Sequence, residues 1–123
     1  FPWDETSNGG FSTANKTWLP SGENYKDVNV KIQEEAANSH LKIFKKLVAV
    51  RKRSVFTEGG YDGALSNNDN VYAYKRQKDN DFAIIVMNFG KSADAVNLTS
   101  IFSLIPSKII VYTSSLDSGL KDE

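Results

Sequence analysis

Three pairs of acidic residues lie close enough in this 123-residue sequence to suggest acid–base chemistry. They are Asp4 with Glu5, Glu34 with Glu35, and Asp79 with Asp81. Two carboxyl groups held about 5 Å apart can act as nucleophile and general acid/base. However, neighbouring side chains of an extended segment point to opposite sides, which separates the first pair. The second pair lies in a charged connector, and the third lies in a turn, where Asp is favoured for local hydrogen bonding. We therefore assign no catalytic residue to this chain.

Other residue types that carry chemistry are isolated in the sequence. His40 has neither a nucleophile nor a second metal ligand nearby, so we expect a surface or packing residue and no metal site. The sequence has no cysteine, which excludes disulfides and thiolate ligands within it. Fifteen basic residues balance fifteen acidic ones, giving a formal net charge of zero. This balance removes the electrostatic argument for a nucleic-acid partner.

The sequence offers two modification sites and no membrane anchor. No run approaches the ~20 apolar residues that a membrane helix needs, so we expect no membrane span in this chain. Asn15-Lys16-Thr17 and Asn97-Leu98-Thr99 are N-glycosylation sequons, which makes Asn15 and Asn97 glycosylation candidates. With 11 Asn and 19 Ser or Thr residues, about 1.7 sequons would occur by chance. The sequons are therefore informative only if the protein is secreted.

One long helix is predicted over residues 40–53. Apolar residues recur there with a helical period and cover about half of the circumference, and Asn38 or Ser39 is a suitable N-cap. The same projection places Arg51 within the apolar half. We expect Arg51 to be buried and paired with a carboxylate of the following domain, since a buried charge is tolerated only when paired. The alternative is that its stem lies along apolar surface while the guanidinium reaches water or the last carbonyls of the helix. Its neighbours Lys52 and Arg53 are expected to be exposed.

Beyond Ser54 the period of the apolar pattern changes to two, which predicts strands. Residues 71–76 alternate, whereas residues 82–89 are almost wholly apolar. A turn at 78–81 predicts a hairpin, with one exposed face on the first strand and the second strand at the centre of an antiparallel sheet. Weaker strands are predicted at 95–98 and 108–113. Before the helix, alternating Val28, Val30 and Ile32 favour a short extended piece within residues 26–36.

The first 25 residues form the most unusual segment. They contain five aromatic residues among glycines, prolines and small polar residues, without a helix or strand pattern. Loops of this length are uncommon in compact domains and usually have a function, and a disordered linker would be poor in aromatic residues. We expect an aromatic-rich loop held over a neighbouring surface.

Several separated blocks of the sequence match one known family. The blocks are Trp3-Asp4, Gly9-Gly10-Phe11-Ser12, Trp18-Leu19-Pro20, Asn24-Tyr25, Val28-Asn29-Val30, Gly60-Tyr61 and Val71-Tyr72-Ala73-Tyr74. In order and spacing they resemble the α-glucosidases (maltases) of the alpha-amylase superfamily of glycoside hydrolases. The resemblance implies an α/β fold: the C-terminal end of a (β/α)8 barrel over residues 1–53, with its active-site-side loop and final helix. A small, truncated antiparallel β-sandwich domain follows over residues 54–123.

The resemblance also implies a function for a longer protein. The chain opens within a loop and lacks an initiator Met, so we expect a fragment whose parent hydrolyses terminal α-glucosidic bonds of maltose-like oligosaccharides with retention. The catalytic carboxylates, and any calcium ion, are expected in the missing barrel portion. The parent is expected to be extracellular, either secreted or anchored through missing segments.

The resemblance places Trp3, Asp4 and Phe11 at the rim of the substrate pocket. The alternative is that the aromatic side chains only anchor the loop. Phe1-Pro2 departs from the family's commoner Met-Gln, which argues against a direct sugar contact from these two positions. Two alternative functions stay open: an ectodomain fragment of the non-catalytic amino-acid-transporter heavy chains of the same superfamily, and a free-standing carbohydrate-binding module.

Overall fold

A computed structural model describes residues 1–65 and 70–120 of the chain. Its regular elements are, in order, a 3-10 helix Ser7–Gly10, helices α1 (Val30–Glu35), α2 (His40–Val50) and α3 (Ser54–Thr57), strands β1 (Gly60–Leu65), β2 (Val71–Lys78) and β3 (Asp81–Asn88), and helix α4 (Leu98–Ile101). The chain divides into two compact units. Phe1–Val48 with Val111–Glu123 form the first, which we call the loop unit, and Ala49–Ile110 form the second, the sheet unit.

Helix α1 occupies the segment for which an extended conformation was predicted, so that prediction is wrong. Asn29 is the N-cap of the helix, and its Oδ1 accepts a hydrogen bond from Ile32 N at 3.0 Å. Its Nδ2 donates to Tyr25 O at 3.0 Å, and Asn29 is only 1% exposed. A short alternation of apolar residues does not outweigh such a cap, because the Asn side chain satisfies an N–H group that the first helical turn leaves free.

Helix α2 begins where the sequence predicted and ends earlier, at Val50. Ser39 is one of the two predicted N-caps, and its Oγ accepts a hydrogen bond from Lys42 N at 3.2 Å. The helix ends in a tight turn in which Arg53 N donates to Val50 O at 3.0 Å. No side chain of α2 is fully buried, and the apolar Phe44 is 63% exposed. Within the described residues, the face predicted to pack against a core is therefore only partly covered: Leu41 and Ile43 are half-buried, whereas Phe44 is exposed.

The predicted burial of Arg51 is wrong, because Arg51 is exposed. It lies beyond the end of α2, so a helical projection does not describe its direction. Lys52 and Arg53 are exposed as predicted. Arg53 makes the carboxylate contact instead, with its Nη2 at 2.8 and 2.7 Å from the two carboxylate oxygens of Asp81. Both side chains are about half exposed, so the pair contributes at most about 1 kcal/mol.

The three strands form one antiparallel sheet in the order β1-β2-β3. The predicted hairpin is confirmed, since Lys78 pairs with Asp81 and Asp79 in the turn has a positive φ of 52°. The prediction that residues 82–89 lie at the centre is wrong: β2 pairs on both sides, whereas β3 pairs only with β2 among the described residues. An apolar strand can also lie at an edge, and Val86 on β3 is 48% exposed.

The hydrophobic core of the described residues lies in the sheet unit. Its almost completely buried apolar side chains are Val55, Val71, Ala73 and Phe102. Val71 and Ala73 alternate with the half-buried Tyr72 and Tyr74, as predicted for a strand with one buried face. Val55 from α3 and Phe102, which follows α4, are the other two members. The core therefore combines residues of β2 with residues of short elements that precede and follow β2 along the chain.

Neither weaker strand predicted after the hairpin forms in the described residues. Residues 108–113 have no regular structure, and residue 98 begins α4. Asn97 is the N-cap of α4, with its Oδ1 accepting from Thr99 N at 3.1 Å. As in α1, a local Asn cap decides the structure where the strand pattern was weak.

Candidate pocket-side loop

The aromatic-rich loop at the start of the chain is fixed to the first turn of α1. Pro2 O accepts a hydrogen bond from Val30 N at 3.2 Å, and Trp3 O accepts one from Lys31 N at 3.0 Å. The Lys31 ammonium also pairs with the Glu5 carboxylate at 2.8 Å. The loop itself therefore satisfies N–H groups that the helix leaves free, and this holds its backbone in place.

Trp3 and Asp4 are adjacent in this loop and have different environments. Trp3 is 53% exposed, and its ring makes an edge contact with the ring of Phe1 at a centroid distance of 5.2 Å. Asp4 accepts hydrogen bonds from Thr6 N at 2.9 Å and Thr6 Oγ1 at 2.5 Å. The Thr6 hydroxyl lowers the pKa of the Asp4 carboxyl, because it stabilises the charged form. Asp4 is suited to accept hydrogen bonds and unsuited to donate a proton.

Two glycines with positive φ turn the chain back over these residues. Gly9 has φ 63° and Gly10 has φ 71°. A Cβ on Gly9 would lie 3.0 Å from Pro2 Cα, and a Cβ on Gly10 would lie 2.6 Å from both carboxylate oxygens of Asp4. Gly9 O accepts a hydrogen bond from Trp3 N at 2.7 Å. Glycine is thus required at both positions by positive φ and by the close approach of Gly9 to Pro2 and of Gly10 to Asp4.

Phe11 follows this turn and is 44% exposed. A cavity of about 450 Å³ in the loop unit is lined by other side chains of the loop, including Asn8, Asn15, Trp18 and Tyr25. None of the three predicted rim residues lines it. Trp18 is 97% exposed, so its ring is left almost uncovered by residues 1–65 and 70–120.

The acidic pairs considered for catalysis contact other groups. The Lys31 ammonium lowers the pKa of Glu5, and the Lys45 ammonium, 2.7 Å from Glu34, lowers the pKa of Glu34. A general acid of a glycoside hydrolase needs a raised pKa so that it holds its proton near neutral pH. The shifts at Asp4, Glu5 and Glu34 have the opposite direction. These carboxylates therefore lack the protonation state that the acid of a hydrolytic pair requires.

Comparison with known proteins identifies the family. Residues 1–59 match the family described as alpha amylase, catalytic domain. Salivary alpha-glucosidase of Aedes aegypti is 46% identical over 114 residues, which are 92% of this chain and 20% of that protein. Maltase A1 of Drosophila melanogaster is 40% identical over 123 residues, 99% of this chain and 21% of that protein. The amino acid transporter heavy chain SLC3A1 of Homo sapiens is 36% identical over 123 residues, 97% of this chain and 18% of that protein.

A solved structure agrees with these matches. The trehalulose synthase MutB superposes with a TM-score of 0.65 and 31% identity over 72% of this chain and 16% of its own. This chain is a relative of the α-glucosidases of the alpha-amylase family. It spans about a fifth of the length of the curated relatives it matches. Its antiparallel sheet fits a fragment of the alpha-amylase-family fold.

In this α-glucosidase relative, the segment matched to the catalytic domain ends at residue 59, inside the sheet unit. Arg76 on β2 holds that end, with its Nη2 donating to Phe56 O at 2.9 Å and to Gly59 O at 2.7 Å. Gly59 is also tightly enclosed, since a Cβ there would lie 2.8 Å from Gln77 O. The last residues of the matched segment are therefore structurally part of the sheet unit.

Sequence reasoning missed Asn29, the residue that organises the α-glucosidase-like loop. Asn29 lies inside one of the family-like blocks, Val28-Asn29-Val30. Its Nδ2 bonds join the end of the loop to α1, and Ser39 similarly joins α1 to α2 through Gln33 O at 2.7 Å. A signal was available, because Asn and Ser are preferred N-caps. It was masked by the apolar alternation around Asn29.

Residues 1–65 and 70–120 contain neither a membrane-spanning helix nor a metal-binding cluster. No helix there is both long and apolar enough to cross a bilayer. The same residues contain no cluster of three His, Cys, Asp or Glu side chains that could hold a metal ion. His40 is an exposed residue at the first position of α2.

Proposed function

We propose that this chain is the C-terminal part of a maltase-type α-glucosidase that hydrolyses terminal α-glucosidic bonds of oligosaccharides with retention. Residues 1–53 close the catalytic (β/α)8 barrel, and residues 54–123 belong to the β-sandwich domain that follows it. The observation that carries the proposal is the 46% identity to a salivary alpha-glucosidase along 92% of this chain. The lowered pKa values of Asp4, Glu5 and Glu34 argue against these three residues as the general acid, which supports a position of that acid upstream.

The exposed apolar face of α2 supports the assignment of α2 as a barrel helix. Phe44, Leu47 and Val48 are 63%, 47% and 43% exposed. Burying a large apolar side chain contributes about 1.5 to 3 kcal/mol, so a helix with three such residues in water lacks a stabilising contact. Helices of a (β/α)8 barrel bury this kind of face against the strands of the barrel. Barrel strands outside this chain would cover the exposed apolar face of α2.

Trp3, Asp4 and Phe11 are proposed to lie at the rim of the substrate pocket in the parent protein. Loops that follow the barrel strands build the active sites of this fold, and the rings of Trp3 and Phe11 are about half exposed. Replacing Phe11 by Ala in the parent should raise KM for maltose. Phe89→Ala is the control, since Phe89 is 75% exposed in the other unit and should leave KM unchanged. Equal effects of the two substitutions on KM would show that Phe11 does not lie at the pocket rim.

The proposal places the parent outside the cell, either secreted or anchored through segments beyond this chain. The relative named as a salivary alpha-glucosidase supports this location. A calcium ion, where the parent holds one, is assigned to the barrel portion upstream. Fractionation of cells that express the parent tests the location directly: we expect the protein in the medium or on the outer membrane face.

A second function is supported by one observation, the 36% identity to the amino acid transporter heavy chain SLC3A1 along 97% of this chain. In this alternative the parent is a non-catalytic ectodomain joined to a membrane span. The upstream sequence separates the two functions. A hydrolase must carry the catalytic carboxylates on earlier barrel strands, whereas the heavy chain can lack them.

The test is glucose release from maltose by the purified parent and by the 123-residue chain. The parent should release glucose, and the chain alone should not, because the acid and nucleophile are upstream. Activity of the chain alone would overturn the upstream assignment of the chemistry. A correctly folded parent without activity on any α-glucoside would favour the transporter-subunit function.

A further inference from the structure

The two Asn-x-Thr sequons are the feature of the chain that the proposed hydrolase function leaves unexplained. Their number is close to what chance would give, so the sequence alone carries no argument for them. The structure adds information, because the folded protein can accommodate a glycan without loss of native contacts only where the asparagine is exposed and its amide nitrogen is not needed by the fold. Both acceptors, Asn15 and Asn97, are exposed.

Several asparagines of this chain use their side-chain nitrogen in the fold. Asn8 Nδ2 donates to Ala14 O at 2.8 Å, and Asn88 Nδ2 donates to Ser92 O at 2.8 Å. Asn29 Nδ2 donates to Tyr25 O and is buried. A sugar replaces one of the two N–H hydrogens, so it would remove a native hydrogen bond of Asn8 or Asn29, whose nitrogens each donate two. None of the three asparagines lies in a sequon.

In Asn97 the atom that caps α4 is the side-chain oxygen, whereas the atom that would carry a glycan is the side-chain nitrogen. Its Oδ1 accepts hydrogen bonds from Thr99 N at 3.1 Å and from Thr99 Oγ1 at 2.7 Å, which caps α4. Its Nδ2 donates no hydrogen bond within the described residues. The cap precedes Phe102, a core residue that is 1% exposed. A glycan on Nδ2 therefore leaves the cap, and the core behind it, intact.

Asn15 differs from Asn97 because neither its side-chain oxygen nor its side-chain nitrogen is used by the fold of the described residues. It lies in the loop unit, and its side chain forms no hydrogen bond with any described residue. The sequon hydroxyl of Thr17 donates to Leu19 O at 2.6 Å, so the turn after Asn15 does not depend on the Asn15 amide. Asn15 lines the cavity that also includes Trp18. A glycan there starts on an open surface of the loop.

We propose that Asn15 and Asn97 both carry N-linked glycans in the parent protein. The proposal depends on the extracellular location given above, because the co-reactant is an oligosaccharide joined to a lipid diphosphate in the secretory pathway. In the reaction, Nδ2 forms a bond to the anomeric carbon and loses one proton. The bond from that carbon to the diphosphate oxygen breaks, and the lipid diphosphate leaves with the bonding pair.

The test uses the full-length parent secreted from a eukaryotic host and compares its mass before and after enzymatic removal of N-glycans. Peptide mapping assigns each loss of mass to a site. Lys16→Pro and Leu98→Pro destroy the sequons without changing the acceptors, since proline at the middle position blocks transfer. Leu98 is the first residue of α4, where proline is tolerated, so Leu98→Pro keeps the helix.

Two further variants separate glycan loss from loss of the cap. Asn97→Asp keeps an oxygen that caps α4 and removes the acceptor amide. Thr99→Ser keeps the sequon. We expect Asn97→Asp and Leu98→Pro to lack the same single glycan, Lys16→Pro to lack the other, and Thr99→Ser to keep both.

The outcomes distinguish this proposal from the proposed function. A secreted parent that hydrolyses maltose and loses no mass on glycan removal overturns the glycan proposal alone. Loss of mass at only one of the two asparagines overturns it for the other. A parent that stays inside the cell without glycans overturns both the location and the glycans. Glycans at both sites on a parent without activity support this inference and contradict the hydrolase function.

Discussion

The two units of the molecule are stabilised by different means. In the sheet unit, Val55, Val71, Ala73 and Phe102 are almost completely removed from water. In the loop unit, the buried side chains are the polar Asn29 and Ser39, and large apolar residues such as Trp18 and Phe44 are exposed. Hydrogen bonds contribute about 1 kcal/mol each, whereas apolar burial accumulates with area. The sheet unit therefore has its own apolar core, whereas the loop unit has local order and several exposed apolar side chains.

The largest expected effect comes from a pair of phenylalanines, one in each unit. Phe102→Ala should lower the free energy of unfolding of the 123-residue chain by about 3 to 5 kcal/mol, because it empties a buried site. Phe44→Ala should change it by less than about 0.5 kcal/mol, because Phe44 is 63% exposed here. Urea unfolding followed through the amide signals of β2 measures both. Equal losses would contradict the assignment of the core to the sheet unit.

A smaller effect is expected from two adjacent glycines where the family-matched segment meets the sheet. Gly59→Ala would place a Cβ 2.3 Å from Val55 O, so the backbone must shift, at about 1 to 3 kcal/mol. Gly60→Ala is the matched control, because the nearest atom to its Cβ would be Gln77 O at 3.8 Å. The midpoint of urea unfolding should fall for the first variant and stay nearly constant for the second. A similar midpoint for both would show that the junction is not closely packed.

The smallest effect is pH-dependent and belongs to the loop unit. The Glu5–Lys31 pair lowers the pKa of Glu5 from its ordinary 4.5 and raises that of Lys31 from its ordinary 10.5, chiefly through their mutual hydrogen bond. Because the pKa of Glu5 is lowered on folding, the pair stabilises the folded state above about pH 4.5. This stabilisation is lost as the pH falls through the pKa of Glu5 in the folded state. Because the pKa of Lys31 is raised on folding, the pair also stabilises the folded state below about pH 10.5. This stabilisation is lost as the pH rises through the pKa of Lys31 in the folded state. The contribution is complete between these two values.

Glu5→Gln should therefore lower protection of the α1 amides from hydrogen exchange slightly near neutral pH, and the difference from the unmodified chain should vanish in acid. Glu23→Gln is the control, because Glu23 is exposed and pairs with no cation in the described part of the chain. A difference for Glu5→Gln that persists in acid would show that the ion pair does not anchor the loop.

The sequence predicted the features that depend on local chemistry and strong periodicity. The start of α2 at Ser39 and the hairpin around Asp79 are both read from short patterns with a clear physical cause. The positions of the strands in the sheet were not predictable from the same patterns. The apolar content of residues 82–89 indicated a central strand, yet partners depend on distant residues such as those of β1, whose glycines give no strand signal.

The errors at α1 and Arg51 have a common origin. In each case a pattern was extended past a residue that changes the backbone: Asn29 begins a helix within an alternating segment, and the turn after Val50 ends one. The candidate site was predictable only in part for a different reason. The loop and its aromatic residues were recognisable, but the cavity beside Trp18 depends on how the loop folds over its own glycines.

Hydrogen exchange of the α2 amides, measured in the parent protein and in the 123-residue chain, tests directly whether α2 packs against a barrel. If α2 is the closing helix of a catalytic barrel, its amides should exchange far more slowly in the parent, because strands outside this chain cover Phe44 and Leu47. The amides of β2 serve as the internal reference and should be protected in both proteins, since their core is complete here. Equal exchange of α2 in the two proteins would contradict the claim that the loop unit requires the rest of the barrel.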